Sequence, residues 1–355
     1  MLSDTLFINH YKKAAVNTQL NIWFSKTFRS NYELIQNLKN SLPDKNIKIY
    51  ATHTNLHFPV LQIADWAGEE PVLSGEERIN WMIEFCDKHS IDVLVPLHDA
   101  AIIAHRVNEF EAVGTKVLIS DASTVDLLAD KNLTYASAAA NNIPVPPWRI
   151  ASNVEDFIEA YWSLKEEINE ERIVMKPSVG IGMKGFRVIT DVQQRMETLF
   201  DEPSHEVSLN NVVKLLSQAE DSFPEFILMP FLEEPEISVD CLSDGEGSLL
   251  RAIARSKTDG KTPQFVSDSY IHEIVEQWSG IHKMKYITNT QFRFWHDKVV
   301  LLETNTRISG GLPTSLLTGV NVLSEAIRLL LGEEVIVTPH QSGGFYTETP
   351  SYMLA

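Results

Sequence analysis

Residues 299–311 read VVLLETNTRISGG, a run of apolar side chains that closes on an acid, an amide and a cation before a glycine pair. Alternate residues of an extended strand project to the same face. If this stretch is a strand, Glu303, Asn305 and Arg307 share one face while Thr304 and Thr306 take the other. Two oxygen ligands beside a guanidinium suit a hard cation that bridges phosphate oxygens. Mg²⁺ takes a carboxylate, one or two further oxygens and substrate phosphate, and arginine presents a planar fork to an oxyanion. A solvated strand end accounts for the same residues, so the rest of the chain has to decide.

With 355 residues the chain can bury a substantial core and divide into two or three domains. Its 44% hydrophobic and 22% charged content is that of a soluble globular protein. A formal net charge of −18 argues against a general nucleic-acid or anionic-membrane partner, which needs a positive field. Any bound phosphate must then be neutralised locally, by a few cations and by metal. Cys86 (WMIEFC) and Cys241 (SVDCL) read as small core residues, which points to a reducing cytoplasm. The opening MLSDTLFINH has no basic start followed by an apolar run, and no later segment is long enough for a membrane span. The expectation is a soluble cytoplasmic protein.

Strand-like and helical runs alternate through the first third: LNIWFS, NYELIQNLKNSL, IKIYATHT, EERINWMIEFCDKH, IDVLVPL and TKVLIS. Such βαβα order predicts α/β architecture, a doubly wound parallel sheet with helices on both faces. Ligands of such sheets sit beyond the carboxyl ends of the strands. Arg29, His53, Asn55 and Asp99 lie there and become candidate substrate residues, with turns and helix caps as the alternative reading. After DKNLTYASAAANNIPVPPW (130–148), whose Pro-rich end marks a boundary, RIVMKPSVGIGMKGFRVIT places a Gly-rich turn between extended runs. An acidic helical region (190–222) precedes EFILMPFLEEPEISVDCL, read as strand, linker and strand. GSLLRAIARSK continues as a strand and YIHEIVEQWSGIHK as a helix. TNTQFRF with KVVLLETN forms a strand pair, and TSLLTGVNVLSEAIRLLLG a closing helix.

Gly180, Gly182 and Gly185 match the dinucleotide pattern G-x-G-x-x-G, but that fingerprint needs a helix after the glycines and here FRVIT follows. A hairpin flap whose backbone N–H groups close over phosphates fits better, and a plain turn needs fewer glycines.

In order along the chain, Lys131 (DKNLTYASAAANNIPVP), Lys176 (MKPSVGIGMKG), Glu236 (PEISVD), Arg255 (AIARSK), Gln291 (NTQF) and ETNTRISGG resemble the motif set of the ATP-grasp superfamily, the carboxylate–amine/thiol ligases. Gln291 paired with E-x-N-x-R is closest to the carbamoyl-phosphate-synthetase-like branch. NIWFSKTFRS and YATHTN resemble the ATP-grasp family found with tellurium-resistance gene clusters.

The resemblance implies a doubly wound domain over 1–128, an ATP-grasp domain of two α+β subdomains over 129–337, and a tail from 338 to 355. The lid subdomain would run from about 150 to 228 and the large one from about 229 to 337. It implies that Lys131 and Lys176 hold the α- and β-phosphates under the flap, that Met229, Pro230, Phe231 and Leu232 face adenine, and that Glu236 takes the ribose hydroxyls. Gln291, Glu303 and Asn305 would bind one or two Mg²⁺, with Mn²⁺ as a substitute, and Arg255 and Arg307 would be the catalytic cations. Two departures stand out: Pro230 occupies a hinge position that is commonly acidic, and Met183 a flap position that is commonly small or polar. The implied reaction activates a small carboxylate as an acyl phosphate and couples it to an amine or other nucleophile, releasing ADP and phosphate; a homodimer is compatible with it. A kinase on the same scaffold and a nucleotide-binding regulator without catalysis are the competing readings. His272 and His282 read as solvated or packed imidazoles, and the aromatic tail 343–354 as packing on the core.

Overall fold

Burial on both faces is the signature of the first strands. In a computed structural model, which describes residues 19–169, 172–180, 182, 184–190, 204–219, 223–257, 262–339 and 343–347, Ile22 and Phe24 pack into one apolar cluster and Trp23 into another on the opposite side. A parallel sheet sandwiched by helices requires this. The strands are β1 (Gln19–Ser25), β2 (Asn46–His53), β3 (Trp66–Glu69), β4 (Val93–Val95) and β5 (Lys116–Val117), all parallel in the order β3-β2-β1-β4-β5. Two details depart from expectation. The helix predicted over NYELIQNLKNSL breaks into Tyr32–Gln36 and Leu38–Ser41, because the Asn37 side-chain amide competes for the Glu33 carbonyl at 2.8 Å. Edge strand β3 has too short an apolar run to announce itself.

The second sheet contains β6 (Arg149–Ala151), β7 (Ile173–Pro177), β8 (Arg187–Thr190), β9 (Glu206–Ser208) and β10 (Phe226–Pro230), in the order β6-β10-β7-β8-β9. β7 and β8 form the predicted antiparallel hairpin around the Gly-rich loop. Helices Val154–Ile168 and Leu209–Ser217 bury its apolar face. Of the acidic region, residues 191–203 and 220–222 lie outside the described residues, as do Ile181 and Met183 in the flap.

The third sheet is six-stranded: β11 (Glu233–Ser243), β12 (Leu249–Lys257), β13 (Gln264–Val266), β14 (Tyr286–Trp295), β15 (Lys298–Asn305) and β16 (Gly344–Phe345), in the order β15-β14-β11-β12-β13-β16. Helix Ser269–His282 covers one face, with Trp278 packed among Val239, Cys241, Phe292 and Leu301. The opposite face is divided. Its apolar half, Leu242, Ile253 and Ile287, joins Leu34, Leu38 and Leu323 in one core with the N-terminal sheet. The polar half is left to line a cleft.

The closing helix predicted as one piece is a 3-10 turn, Leu312–Thr318, then helix Val322–Leu330; Gly319 at φ +85° ends the first and Asn321 caps the second. Both cysteines are buried, which pushes each thiol up to about 12, so neither is a ready nucleophile. His282 is packed, its ring against Trp278 at 4.3 Å. Of the aromatic tail, residues 348–354 lie outside the described residues; β16 pairs with β13 while Phe345 stays exposed, and the Tyr346 ring lies 5.1 Å from that of Phe265. Among the described residues no helix is long and apolar enough to cross a membrane.

Candidate active site

Directly opposed residues of an antiparallel pair lie on one face of the sheet. Ser238 is paired with Arg255 on one side and Gln291 on the other, and Gln291 is paired with Glu303. One row therefore runs Arg255, Ser238, Gln291, Glu303 across four strands. The adjacent row runs Asp240, Asn289, Asn305. Glu236 and Arg293 extend the same face, 3.4 Å apart through Nη2 and Oε2.

Simple alternation would not put Glu303 on this face. Leu301 packs with Trp278 beneath the sheet and Leu302 above it, so the next residue should point down. Instead the β14–β15 register shifts between Gln291 and Phe292, which pair with Glu303 and Leu301, leaving Leu302 as the extra residue of a bulge. The bulge reverses the phase. Thr304 then faces down, accepting from Trp278 Nε1 at 3.1 Å, while Glu303 and Asn305 face the cleft.

Two lysines face Glu303 from above. Lys131 opens helix Lys131–Ala140, capped by Asp130, and its Nζ lies 3.3 Å from the carbonyls of Ser178 and Gly180 at the base of the flap. Lys176 projects from β7, buried and without a hydrogen-bond partner among the described residues. Burial brings its ammonium down to about 8, against the opposing pull of Glu303. Lys131 is lowered for the same reason, with Glu303 again the largest countering charge. A buried ammonium that feels a carboxylate without ion-pair contact among the described residues is suited to take a further anion.

Ser178 Oγ donates to Asp130 at 2.7 Å, tying the flap base to the helix cap. Gly182 has φ +61° in open space, whereas Gly185 at φ +79° has no room, since a Cβ would meet Pro177 Cδ at 2.7 Å. Gly182→Val is expected to slow turnover about tenfold, the scale of straining one residue at positive φ, with little change in melting temperature. Wild-type turnover in that variant would make the loop an ordinary turn. Gly185→Ala should instead lower the melting temperature.

Met229 and Pro230 end β10, with Phe231 and Leu232 bridging to β11. Met229 and Leu232 are buried with Val174 and Ile227, and the Arg172 guanidinium lies 4.0 Å from the Phe231 ring. Arg293 Nη1 donates to the Leu232 carbonyl at 3.4 Å, so Arg293 touches both the hinge and Glu236. Sequence reading missed it, although N-T-Q-F-R carries the same two-residue spacing as E-T-N-T-R.

Arg307 sits past the end of β15, its guanidinium 5.2 Å from the Phe28 ring, and burial lowers it while Glu303 opposes the shift. Phe28 comes from the loop after β1 and also meets the His98 ring edge-on at 5.8 Å. Arg255 is held by Asp240, with Nε at 3.0 Å and Nη2 at 2.7 Å from Oδ2. Gly311 permits this, since a Cβ there would lie 2.2 Å from Arg255 Nη1.

The strand-end candidates are not joined to one another in a single cluster. Arg29 is exposed at the start of a 3-10 turn. His53 stacks on Phe58 at 3.8 Å and accepts from the Asn55 amide. Asp99 is ion-paired with Arg78, whose other edge holds the buried carboxylate of Glu70 at 2.8 Å. Arg78 and Glu70, unmarked in sequence, brace the strand ends beneath the cleft.

Among the described residues no three His, Cys, Asp or Glu side chains are grouped to hold a metal. The donor set is one carboxylate and two amides. That suits Mg²⁺ completed by phosphate oxygens, since this ion favours oxygen ligands and retains few from protein.

Residues 222–349 match the model of an ATP-grasp family described as occurring in the biosynthetic pathway with the Ter operon, and residues 24–118 match a PylC-like N-terminal domain. The biotin carboxylase domain of Hydrogenobacter thermophilus 2-oxoglutarate carboxylase, solved with MgADP, ADP and bicarbonate, superposes with a TM-score of 0.62 at 17% identity, over 89% of this chain and 70% of that one. N5-carboxyaminoimidazole synthetase from Staphylococcus aureus gives 0.62 at 12% identity, over 90% and 80%. The chain therefore has the fold of these enzymes over about nine-tenths of its length.

Proposed function

We propose that this ATP-grasp protein is an ATP- and Mg²⁺-dependent ligase that activates a carboxylate as an acyl phosphate and joins it to an amine. The observation that carries this reading is the cross-strand pair of Gln291 and Glu303, flanked by Asn305 and facing Lys131 and Lys176. Lys131 and Lys176 would hold the α- and β-phosphates, Glu236 the ribose, and the 229–232 hinge the base. The flap glycines would let backbone N–H groups close over the phosphates and exclude water. Mg²⁺ held by Gln291, Glu303 and Asn305 would supply charge neutralisation to the bound phosphates. The substrate carboxylate attacks the γ-phosphorus and ADP leaves. The amine then attacks the acyl carbon, phosphate leaves and the amine loses a proton. Arg307 is the group for the transferring phosphoryl oxygens, because phosphoryl transfer is chiefly positioning and charge stabilisation. The proposed division of labour is 1–128 for substrate and 129–337, with the second sheet and strands β11–β15, for nucleotide and chemistry; of the tail 338–355, Gly344–Phe345 forms edge strand β16.

Acid recognition is assigned partly to Arg29, an exposed guanidinium on the loop whose Ser30 lies beside Gly310, 3.5 Å from where a Cβ would stand. Arg29→Ala should raise the KM for the acid about tenfold, the scale of one charge-assisted hydrogen bond, and spare ATP affinity. Lost ATP affinity with unchanged acid affinity would refute the placement. The function itself is tested by assaying ADP and phosphate together over paired acids and amines. Equal release of both is expected; ADP without phosphate means a kinase, and nucleotide binding without turnover on any pair means a regulator.

A further inference from the structure

We infer that Asp240, acting through Asn289, is what requires glutamine rather than glutamate at position 291 and turns the Gln291 carbonyl oxygen toward the metal. The inference rests on the metal reading above and concerns two positioning residues that take no part in it.

Asp240 is buried and accepts four hydrogen bonds. Oδ1 takes Asn289 Nδ2 at 2.8 Å and Ser309 Oγ at 2.7 Å, and Oδ2 takes Arg255 Nε and Nη2. A carboxylate paired to arginine is an acceptor only. The amide of Asn289, fully buried, therefore has one allowed orientation, with its NH₂ toward Asp240 and Ser238 Oγ and its carbonyl oxygen toward position 291. That oxygen needs a donor, and Gln291 Nε2 provides it at 3.1 Å. With Nε2 held on the Asn289 side, Oε1 is the end of the amide that Gln291 turns to the cleft. Asn305 repeats the arrangement, giving its Nδ2 to Glu303 Oε1 at 3.0 Å and retaining Oδ1 as a ligand. Each amide thus gives one N–H to a protein acceptor, which fixes its NH₂ end, and offers its oxygen to a cation. A glutamate at 291 would have no hydrogen for Asn289 Oδ1 and would swing away, taking its metal-facing oxygen with it.

Adding a negative charge to a cation site ordinarily tightens it, so the prediction runs against simple electrostatics. The full chain is titrated with ADP by calorimetry, with and without Mn²⁺. Gln291→Glu is expected to weaken Mn²⁺–ADP binding about tenfold, in the range for lost second-layer support of a ligand. Asn289→Ala should also weaken it about tenfold while leaving metal-free ADP affinity within about twofold. In the Asn289→Ala background, where the Asn289 Oδ1 acceptor is gone, Gln291→Glu should instead tighten Mn²⁺–ADP. Tightening by Gln291→Glu in the otherwise wild-type chain, or the same change in both backgrounds, would overturn the inference. The single variant decides even if Asn289→Ala does not fold. Wild-type ADP affinity indifferent to Mn²⁺ would overturn the metal reading and this inference with it, whereas Mn²⁺-dependent wild type with additive variants overturns the inference alone.

Discussion

In Glu303→Gln, ADP formation is expected to fall about a thousandfold while the chain stays folded and continues to bind ADP, more weakly and with less Mg²⁺ dependence. The substitution keeps shape and removes one charge. Glu303 is the single carboxylate of the proposed metal set and the principal counter-charge felt by Lys131, Lys176 and Arg307. A modest drop in melting temperature should accompany the loss, because these buried cations lose a partner. Mg²⁺-dependent ADP formation, with melting temperature as control, is the measurement. Near-normal activity in a folded Glu303→Gln protein would remove the metal assignment.

Lys176→Met is expected to weaken nucleotide binding about a hundredfold, the upper scale of a charge-assisted bond to phosphate, and yet to stabilise the nucleotide-free protein. Burial lowers this lysine from 10.5 to about 8, equivalent to a cost of about 3 kcal/mol for keeping it charged at neutral pH. The folded chain binds fewer protons than the unfolded one between these two values. Wild-type stability should therefore carry the full penalty below about pH 8 and recover as pH rises toward 10.5. Lys176→Met should be more stable at pH 7 and lack that rise. A polyphosphate would restore the charge, so wild-type ADP affinity should decline above about pH 8 with uptake of up to one proton. Melting curves and ADP titrations from pH 7 to about 10 read both effects. A less stable Lys176→Met protein, or pH-independent ADP affinity, would contradict this account of a cation held ready for phosphate.

The strands and the flap hairpin were legible because a two-residue period and glycine punctuation are local properties. E-T-N-T-R announced its acid and amide as neighbours on one face, and the β14–β15 register bears that pairing out. The bulge at Leu302 was not legible: nothing in V-V-L-L marks which leucine is the extra one, and the phase is settled by where Trp278 and Thr304 meet. Asp240 and Asn289 looked like ordinary strand polar residues, since their meaning lies in a cross-strand register. Asn37, Gly319 and Asn321, by contrast, were punctuation that helical periodicity overrode. The shared core of Leu34, Leu242 and Leu323, which brings Phe28 to Arg307, joins positions too far apart for any local pattern.

Transfer of oxygen from acid to phosphate is the measurement closest to the central claim. An active acid, found by the paired screen and labelled with ¹⁸O in its carboxylate, is incubated with ATP, Mg²⁺ and amine, and the released phosphate is analysed by mass. Attack of the amine on an acyl phosphate breaks the acyl C–O bond and leaves one carboxylate oxygen in the phosphate, so phosphate carrying a single ¹⁸O is the predicted result. Unlabelled phosphate, or a phosphorylated acid released with no free phosphate, would contradict the ligase account.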